Sequence, residues 1–88
     1  MESKIFPLYR RLSHGRNYYR IDAPDHLTEL MIVGNSWMEI LLEARQYPER
    51  MFIRDLIELV MPGMEEITEE QFQTFREYCQ SSKTFRTM

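Results

Sequence analysis

Two groups of side chains have the residue types needed for metal binding or catalysis. The first is a set of four that lie within eight residues and would share one face of a helix: Asp22, Asp25, His26 and Glu29. Such a set could hold a divalent cation, but carboxylates near the start of a helix are explained more simply as caps and as partners of the helix dipole. We therefore predict no metal and no cofactor.

The second group comprises the possible nucleophiles and bases. Cys79 is the one cysteine, and it lies on the apolar stripe of a predicted helix, where a thiol is a small inert core side chain. His14 and His26 are the only histidines, and the three glycines are too far apart to form a phosphate-binding loop. We predict that the protein is not an enzyme.

Residues 9–20 are the most suggestive candidate site, because arginines alternate there with tyrosines. Nucleic-acid-binding proteins use arginine to contact phosphates and aromatic rings to stack on bases. The candidate nucleic-acid contacts are Arg10, Arg11, Arg16, Tyr18 and Arg20. The same residue types are common on the solvent face of an antiparallel sheet, and the rest of the chain is acidic. Nucleic-acid binding is therefore the alternative function.

Methionine is abundant, with seven in 88 residues, and several of them lie near the single tryptophan. Methionine adapts to irregular surfaces, and tryptophan is a frequent anchor of binding hot spots. Trp37 and Met38 are the candidate partner-binding residues. The preferred function is a small soluble protein-interaction or structural domain that binds a protein partner, with a homodimer as the expected form.

Charge and composition limit the remaining function classes. Residues 1–20 hold five basic side chains and one acidic, a net charge of +4, whereas residues 21–88 have a net charge of −7. This asymmetry is compatible with a basic binding patch. It is equally compatible with basic and acidic surfaces that pair within one fold or between two subunits. The chain has no signal peptide and no apolar run of about 18 residues, which predicts no membrane association. A lone cysteine favours a reducing compartment, and we expect the cytoplasm.

The N-terminal part is predicted to form strands. Residues 3–12 alternate as a half-buried strand does, and Pro7 makes it an edge strand because proline has no N–H to donate. Arg10 falls on the apolar side, so we expect a bulge there or a strand end where the guanidinium reaches solvent. Turn residues 13–17 then lead to a strand over 17–22.

Residues 24–33 allow two interpretations. Asp22, Pro24 and Asp25 resemble a helix start and Gly34 a helix end, so a short helix is the first choice. The alternative is a strand that turns through Gly34 and Asn35 into the next one. Residues 36–44 are predicted to form a strand with one fully apolar face.

The C-terminal part has the clearest helix signals. Residues 48–61 carry a broad apolar stripe between Pro48 and the stop signal Pro62-Gly63. Thr68 is an N-cap with Gln71 three residues later, which predicts a helix over 68–80.

Together these patterns predict an α+β fold in one domain, residues 1–88. Residues 1–46 are β-rich, residues 48–80 are helical, and residues 81–88 fray unless Phe85 packs on the domain. The expected sheet is small and mostly antiparallel, with three or four strands. We expect the two C-terminal helices to cover one face of it.

Overall fold

The computed structural model of the protein describes residues 5–86, and within that range the chain forms one six-stranded sheet and two helices. The strands are β1 (Leu8–Leu12), β2 (Asn17–Ala23), β3 (His26–Val33), β4 (Ser36–Glu43), β5 (Met64–Glu66) and β6 (Thr84–Phe85). The helices are α1 (Tyr47–Glu58) and α2 (Glu69–Ser82). The predicted α+β class is confirmed, with more strands than expected.

The sheet is built on a meander of consecutive antiparallel strands, β1 to β4. β5 adds to β1 in antiparallel orientation and β6 adds to β4 in parallel, which gives the order β5-β1-β2-β3-β4-β6. The predicted first strand begins at Leu8 rather than at residue 3, and residues 3 and 4 lie outside the described range.

The first choice of a helix over 24–33 is wrong, because residues 26–33 form β3, an eight-residue strand between β2 and β4. Pro24 and Asp25 make the tight turn between β2 and β3, and the Asp25 carbonyl accepts a hydrogen bond from the N–H of Ala44. Leu27 and Leu30 point to opposite faces, and both are buried. A strand that is buried on both faces does not alternate simply between apolar and polar residues. In residues 24–33 the spacing of the apolar side chains resembles that of a helix.

The two helices pack on opposite faces of the sheet, whereas we expected both on one face. Tyr18 and Tyr19 are neighbours in β2 and so point to opposite sides. Tyr18 stacks on Phe75 of α2 with ring centroids 3.7 Å apart, and Tyr19 meets Phe52 of α1 edge-on at 5.8 Å. The domain therefore has two small apolar cores, one under each helix.

The chain connections explain this arrangement. α1 links β4, near one edge of the sheet, to β5 at the other edge, so it crosses one face. α2 then leads from β5 back to β6 beside β4 and crosses the opposite face. The C-terminal half of the chain thus wraps around the meander, and neither helix covers the whole of its face.

Both predicted helices are present with shifted ends. α2 begins as predicted, since the Thr68 hydroxyl accepts from the N–H of Gln71 and the Gln71 side chain accepts from the N–H of Thr68. α1 ends at Glu58 instead of residue 61, and Leu59 adopts a left-handed conformation with φ of 55°. Gly63, with φ of 86°, serves the turn into β5 rather than the helix end.

The C-terminal segment packs on the domain through Phe85. The N–H of Thr84 donates to Asn35 O and the N–H of Arg86 donates to Trp37 O, which fixes β6 beside β4. Residues 84–86 therefore pack on the sheet, and residues 87 and 88 lie outside the described range. Neither helix in the described part of the chain has the length and apolar character required to cross a membrane.

Candidate functional site

Arg10, a candidate nucleic-acid contact, is almost completely buried, with 3% of its surface exposed. Its Nε donates to Leu56 O at 2.8 Å and its Nη2 donates to Ile57 O at 3.0 Å. These carbonyls belong to the last turn of α1, which has no basic residue of its own. Arg10 therefore caps the helix from a strand. The expectation that its guanidinium reaches solvent is wrong, and β1 pairs with β2 without a bulge at this residue.

Burial also affects the protonation of this guanidinium. Loss of hydration lowers the pKa of Arg10, and the nearby Glu66 carboxylate, 3.8 Å from Nη1, opposes that change. An arginine remains charged even after such a shift because its ordinary pKa lies far above neutral pH. The capping role was missed because its partners lie 46 and 47 residues away in sequence. The available signal was an arginine on an apolar strand face, together with a helix whose last turn lacks a positive charge.

Arg11 and Tyr18 lie on the opposite face of the sheet from Arg10. Arg11 Nε donates to Glu65 Oε1 at 2.6 Å, and its Nη1 lies 3.5 Å from the Tyr18 hydroxyl. The hydrogen bond to Glu65 raises the pKa of Arg11. The Tyr18 ring stacks on Phe75 and the side chain is buried, so the face that Phe75 covers is not available for stacking on a base.

Arg20 and Arg16 complete the set of candidate nucleic-acid contacts. Arg20 forms an ion pair with Asp22 at 3.0 Å and donates to the Thr28 hydroxyl. Arg16 is exposed in the turn between β1 and β2. The structure thus places Arg10 on one face, Arg11 and Arg20 on the other, and Arg16 at one end. The five candidates do not form a shared basic surface, and three of the arginines lie beside carboxylates.

The acidic residues around His26 form a different arrangement from the predicted helical cluster. His26 Nδ1 lies 2.7 Å from Asp25 Oδ1, and Nε2 lies 4.0 Å from Glu43 Oε2. Glu29 points to the other face, where it accepts from the Asn17 amide. In the range 5–86, no three His, Cys, Asp or Glu side chains are placed to hold a metal ion.

Trp37 and Met38, the candidate partner-binding residues, have different surroundings. Trp37 is 5% exposed, lies in the core under α2, and is covered by the Phe85 ring edge-on at 4.7 Å. Met38 points to the other face and faces Met31 of β3. Trp37 is therefore part of the core of one chain, while Met38 lies half-buried on the face that α1 crosses.

The outer side of β4 is the most accessible part of the sheet. β6 pairs with Ser36 and Trp37 alone, so no described strand pairs with residues 38–43 on this side. The carbonyls of Asn35 and Trp37 point towards β6, which shows that alternate residues of β4 direct their N–H and C=O groups outward. Glu39, Leu41 and Glu43 continue this series along the part of β4 that has no outer partner among the described strands.

Exposed large side chains occur on this open edge, which we define as residues 38–43, and in the few residues that follow it in sequence. Leu41 is 76% exposed, an unusual value for leucine in a strand, and Tyr47 at the start of α1 is 73% exposed. Arg45, between them in sequence, is 78% exposed. A sheet edge with unpaired backbone groups and exposed apolar side chains can add a further strand.

Comparison with known proteins returned no match. Scans against protein-family models, curated proteins and solved structures found nothing similar to this chain.

Proposed function

We propose that this protein is an interaction domain that self-associates through the open edge of β4. The observation that carries the proposal is the run of six residues, 38–43, whose outward backbone groups have no described strand partner. Natural sheets usually protect such an edge by shortening it, covering it or placing charges on it. Here the edge is long and Leu41 projects from its centre.

Met38 supports the same proposal as part of an apolar strip. It shares the α1 face of β4 with Ile40 and Leu42, because alternate residues of a strand point to the same side. An added strand would therefore meet backbone donors and acceptors, Leu41 on one face and the apolar strip on the other. The partner is a protein strand under this proposal, and the homodimer is its expected form.

A reducing, cytoplasmic location agrees with the proposal. Cys79 is fully buried, and burial raises the pKa of its thiol, so it is poorly suited to disulfide exchange. Self-association through an edge needs no disulfide, and the rest of the fold needs none either.

The proposal is tested by removing one outward N–H. Leu41→Pro eliminates a donor that points away from β3, so the pairing of β3 with β4 is retained while the edge can no longer add a strand. Sedimentation equilibrium should show a wild-type dimer and a Leu41→Pro monomer. Leu41→Ala is the matched control because it keeps the donor and should remain partly dimeric.

Far-UV circular dichroism must show that the proline variant is folded. A wild-type protein that stays monomeric up to millimolar concentration would contradict the proposal. So would a folded Leu41→Pro variant with an unchanged dimer constant.

A further inference from the structure

We infer that the strand added at the open edge is β4 of a second copy, antiparallel, with a twofold axis at Leu42. This inference rests on the proposed self-association and goes beyond it by specifying the register. Two identical edges related by a twofold axis perpendicular to the sheet must pair in antiparallel orientation, so each possible register is defined by the residue on the axis. Three central registers are possible, with the axis at Ile40, Leu41 or Leu42.

An axis at Ile40 is blocked by β6. It would place Glu43 of the second copy beside Trp37, a position that Phe85 already occupies in the parallel pair of β4 and β6. The Arg86 N–H also uses the outward carbonyl of Trp37 at 2.8 Å. This register therefore requires the loss of β6 and of the cover that Phe85 provides for Trp37.

An axis at Leu41 is opposed by charge. It would set Glu39 of each copy directly opposite Glu43 of the other, so two pairs of carboxylates would face each other on one side of the sheet. Directly opposed like charges destabilise strand pairing. Glu39 already forms a pair with Arg76 at 3.4 Å and Glu43 with Arg45 at 3.4 Å, but neither contact removes the repulsion between subunits.

An axis at Leu42 leaves β6 in place and sets no like charges opposite each other. Leu41 then faces Glu43 of the second copy, and the two residues exchange backbone hydrogen bonds because both direct their N–H and C=O groups outward. Glu39 faces Arg45 of the second copy, an opposite-charge pair that occurs twice by symmetry. On the other face Leu42 meets its own copy, and Ile40 meets the second copy's Ala44. Arg86 lies beside Met38, because its N–H donates to Trp37 O, so the pairing ends at Glu39 and Arg45 and the second copy's Gln46 turns away from the edge. The Arg45 N–H, which donates to Glu49 Oε1 at 3.0 Å in the single chain, exchanges that bond for Glu39 O.

A cysteine scan along β4 tests the register. In the proposed dimer Leu42→Cys brings two Cα atoms to about 4.5 Å across a pair without backbone hydrogen bonds, which is within the range for a disulfide of about 4.4–6.8 Å. Ile40→Cys would place its two sulfurs roughly 13 Å apart along the strands, and Leu41→Cys would exceed about 7 Å. Cys79 is present and buried in every variant, and the wild type controls for it. Mild oxidation followed by non-reducing electrophoresis should give a covalent dimer for Leu42→Cys alone.

A second measurement changes exposed charged residues, because Leu42→Cys could prevent dimerisation simply by destabilising the fold. Arg45→Glu replaces two opposite-charge pairs by two like-charge pairs, and we expect the dimer dissociation constant to rise about tenfold. Arg54→Glu is the matched control, since Arg54 is an exposed arginine on α1 that lies outside the proposed contact and pairs with Glu58. It should leave the constant unchanged.

The outcomes separate the register from the function. A wild-type dimer that cross-links at residue 40 or 41 instead of 42 overturns the register and leaves self-association standing. The same conclusion follows if Arg45→Glu and Arg54→Glu behave alike in a dimeric protein. A wild-type monomer overturns the proposed function and the register together.

Discussion

The two edges of the sheet are built in opposite ways. β5 is three residues long, and its two glutamates are tied to β1, with Glu65 paired to Arg11 and Glu66 close to Arg10. β4 is eight residues long, and six of them have no described strand on their outer side. One edge is short and its glutamates lie beside arginines, as expected of a protected edge, and the other is long with an exposed leucine between Glu39 and Glu43.

The two edges also differ in the number of contacts that hold them to the rest of the domain. The crossing helix α1, the buried Arg10 and the turn at Gly63 all hold β5 in place, since Ser13 N–H donates to Gly63 O and Ile67 N–H donates to Tyr9 O. At β4 a two-residue strand covers one end of the outer side, and within residues 5–86 no strand pairs with the remainder of that side. Mutations at the β5 edge should therefore change the stability of the monomer, and mutations at the β4 edge should change association.

The largest effect is expected from Leu56→Ala, in the helix that leads to β5. Leu56 is fully buried, so its truncation should lower the free energy of unfolding by about 2–5 kcal/mol through lost apolar burial and the cavity that remains. Glu58→Ala, on the solvent side two residues later, should cost well under about 1 kcal/mol. Urea denaturation measures both, and equal losses would mean that α1 does not cover the core as described.

Arg10→Met should have the next largest effect. Methionine retains an apolar side chain of comparable length but leaves Leu56 O and Ile57 O without their donor, at an expected cost of about 2–3 kcal/mol. Arg11→Met is the control from the neighbouring position, where a partly exposed ion pair is lost, and should cost less than about 1 kcal/mol. If both variants lose the same free energy, the capping interaction is not important for stability.

At the open edge the expected effect is on association. Leu41→Glu should raise the dimer dissociation constant about tenfold, because a carboxylate would face Glu43 of the second copy. Leu41→Lys removes the same apolar side chain but places an ammonium group there, so it should bind more tightly than the glutamate variant. Sedimentation equilibrium measures both dissociation constants. Identical constants would mean that residue 41 does not face Glu43 of the second copy.

The smallest effect is the pH dependence near the β2–β3 turn. The hydrogen bond to Asp25, aided by the charges of Glu43 and Asp22, raises the pKa of His26 above its ordinary value of 6.5. Protonated His26 therefore stabilises the folded state fully below pH 6.5, and this contribution is lost as the pH rises through the raised pKa. The matching hydrogen bond lowers the pKa of Asp25, so its contribution is lost only as the pH falls through that lowered value.

Thermal melts across this pH range provide the measurement. His26→Gln should remove the decline in stability above pH 6.5. His14→Gln should preserve the decline, because His14 lies in the exposed β1–β2 turn with its Nδ1 accepting from the Arg16 N–H. A decline that persists in His26→Gln would assign it to another group.

Local signals predicted some elements of the fold well. The start of α2 follows from Thr68, Gln71 and the buried Ile67 before them, all within five residues, so the chain itself contains the whole interaction. The strand over 36–44 was likewise predicted nearly to its ends, because one of its faces is continuously apolar. By contrast, local signals favour a helix at β3, since the pattern of this strand depends on burial by both neighbouring layers.

The candidate site was less predictable, because it depends on which side of the sheet each residue occupies. The sequence alone determined the class of the fold, the helix starts and the alternation of each strand, since these follow from interactions over a few residues. Only the tertiary structure decided that α1 and α2 lie on opposite faces, that Arg10 caps a helix 46 residues away, and that β4 has an open edge. Those features arise from the order in which the strands assemble, and strand order depends on contacts between residues far apart in the chain.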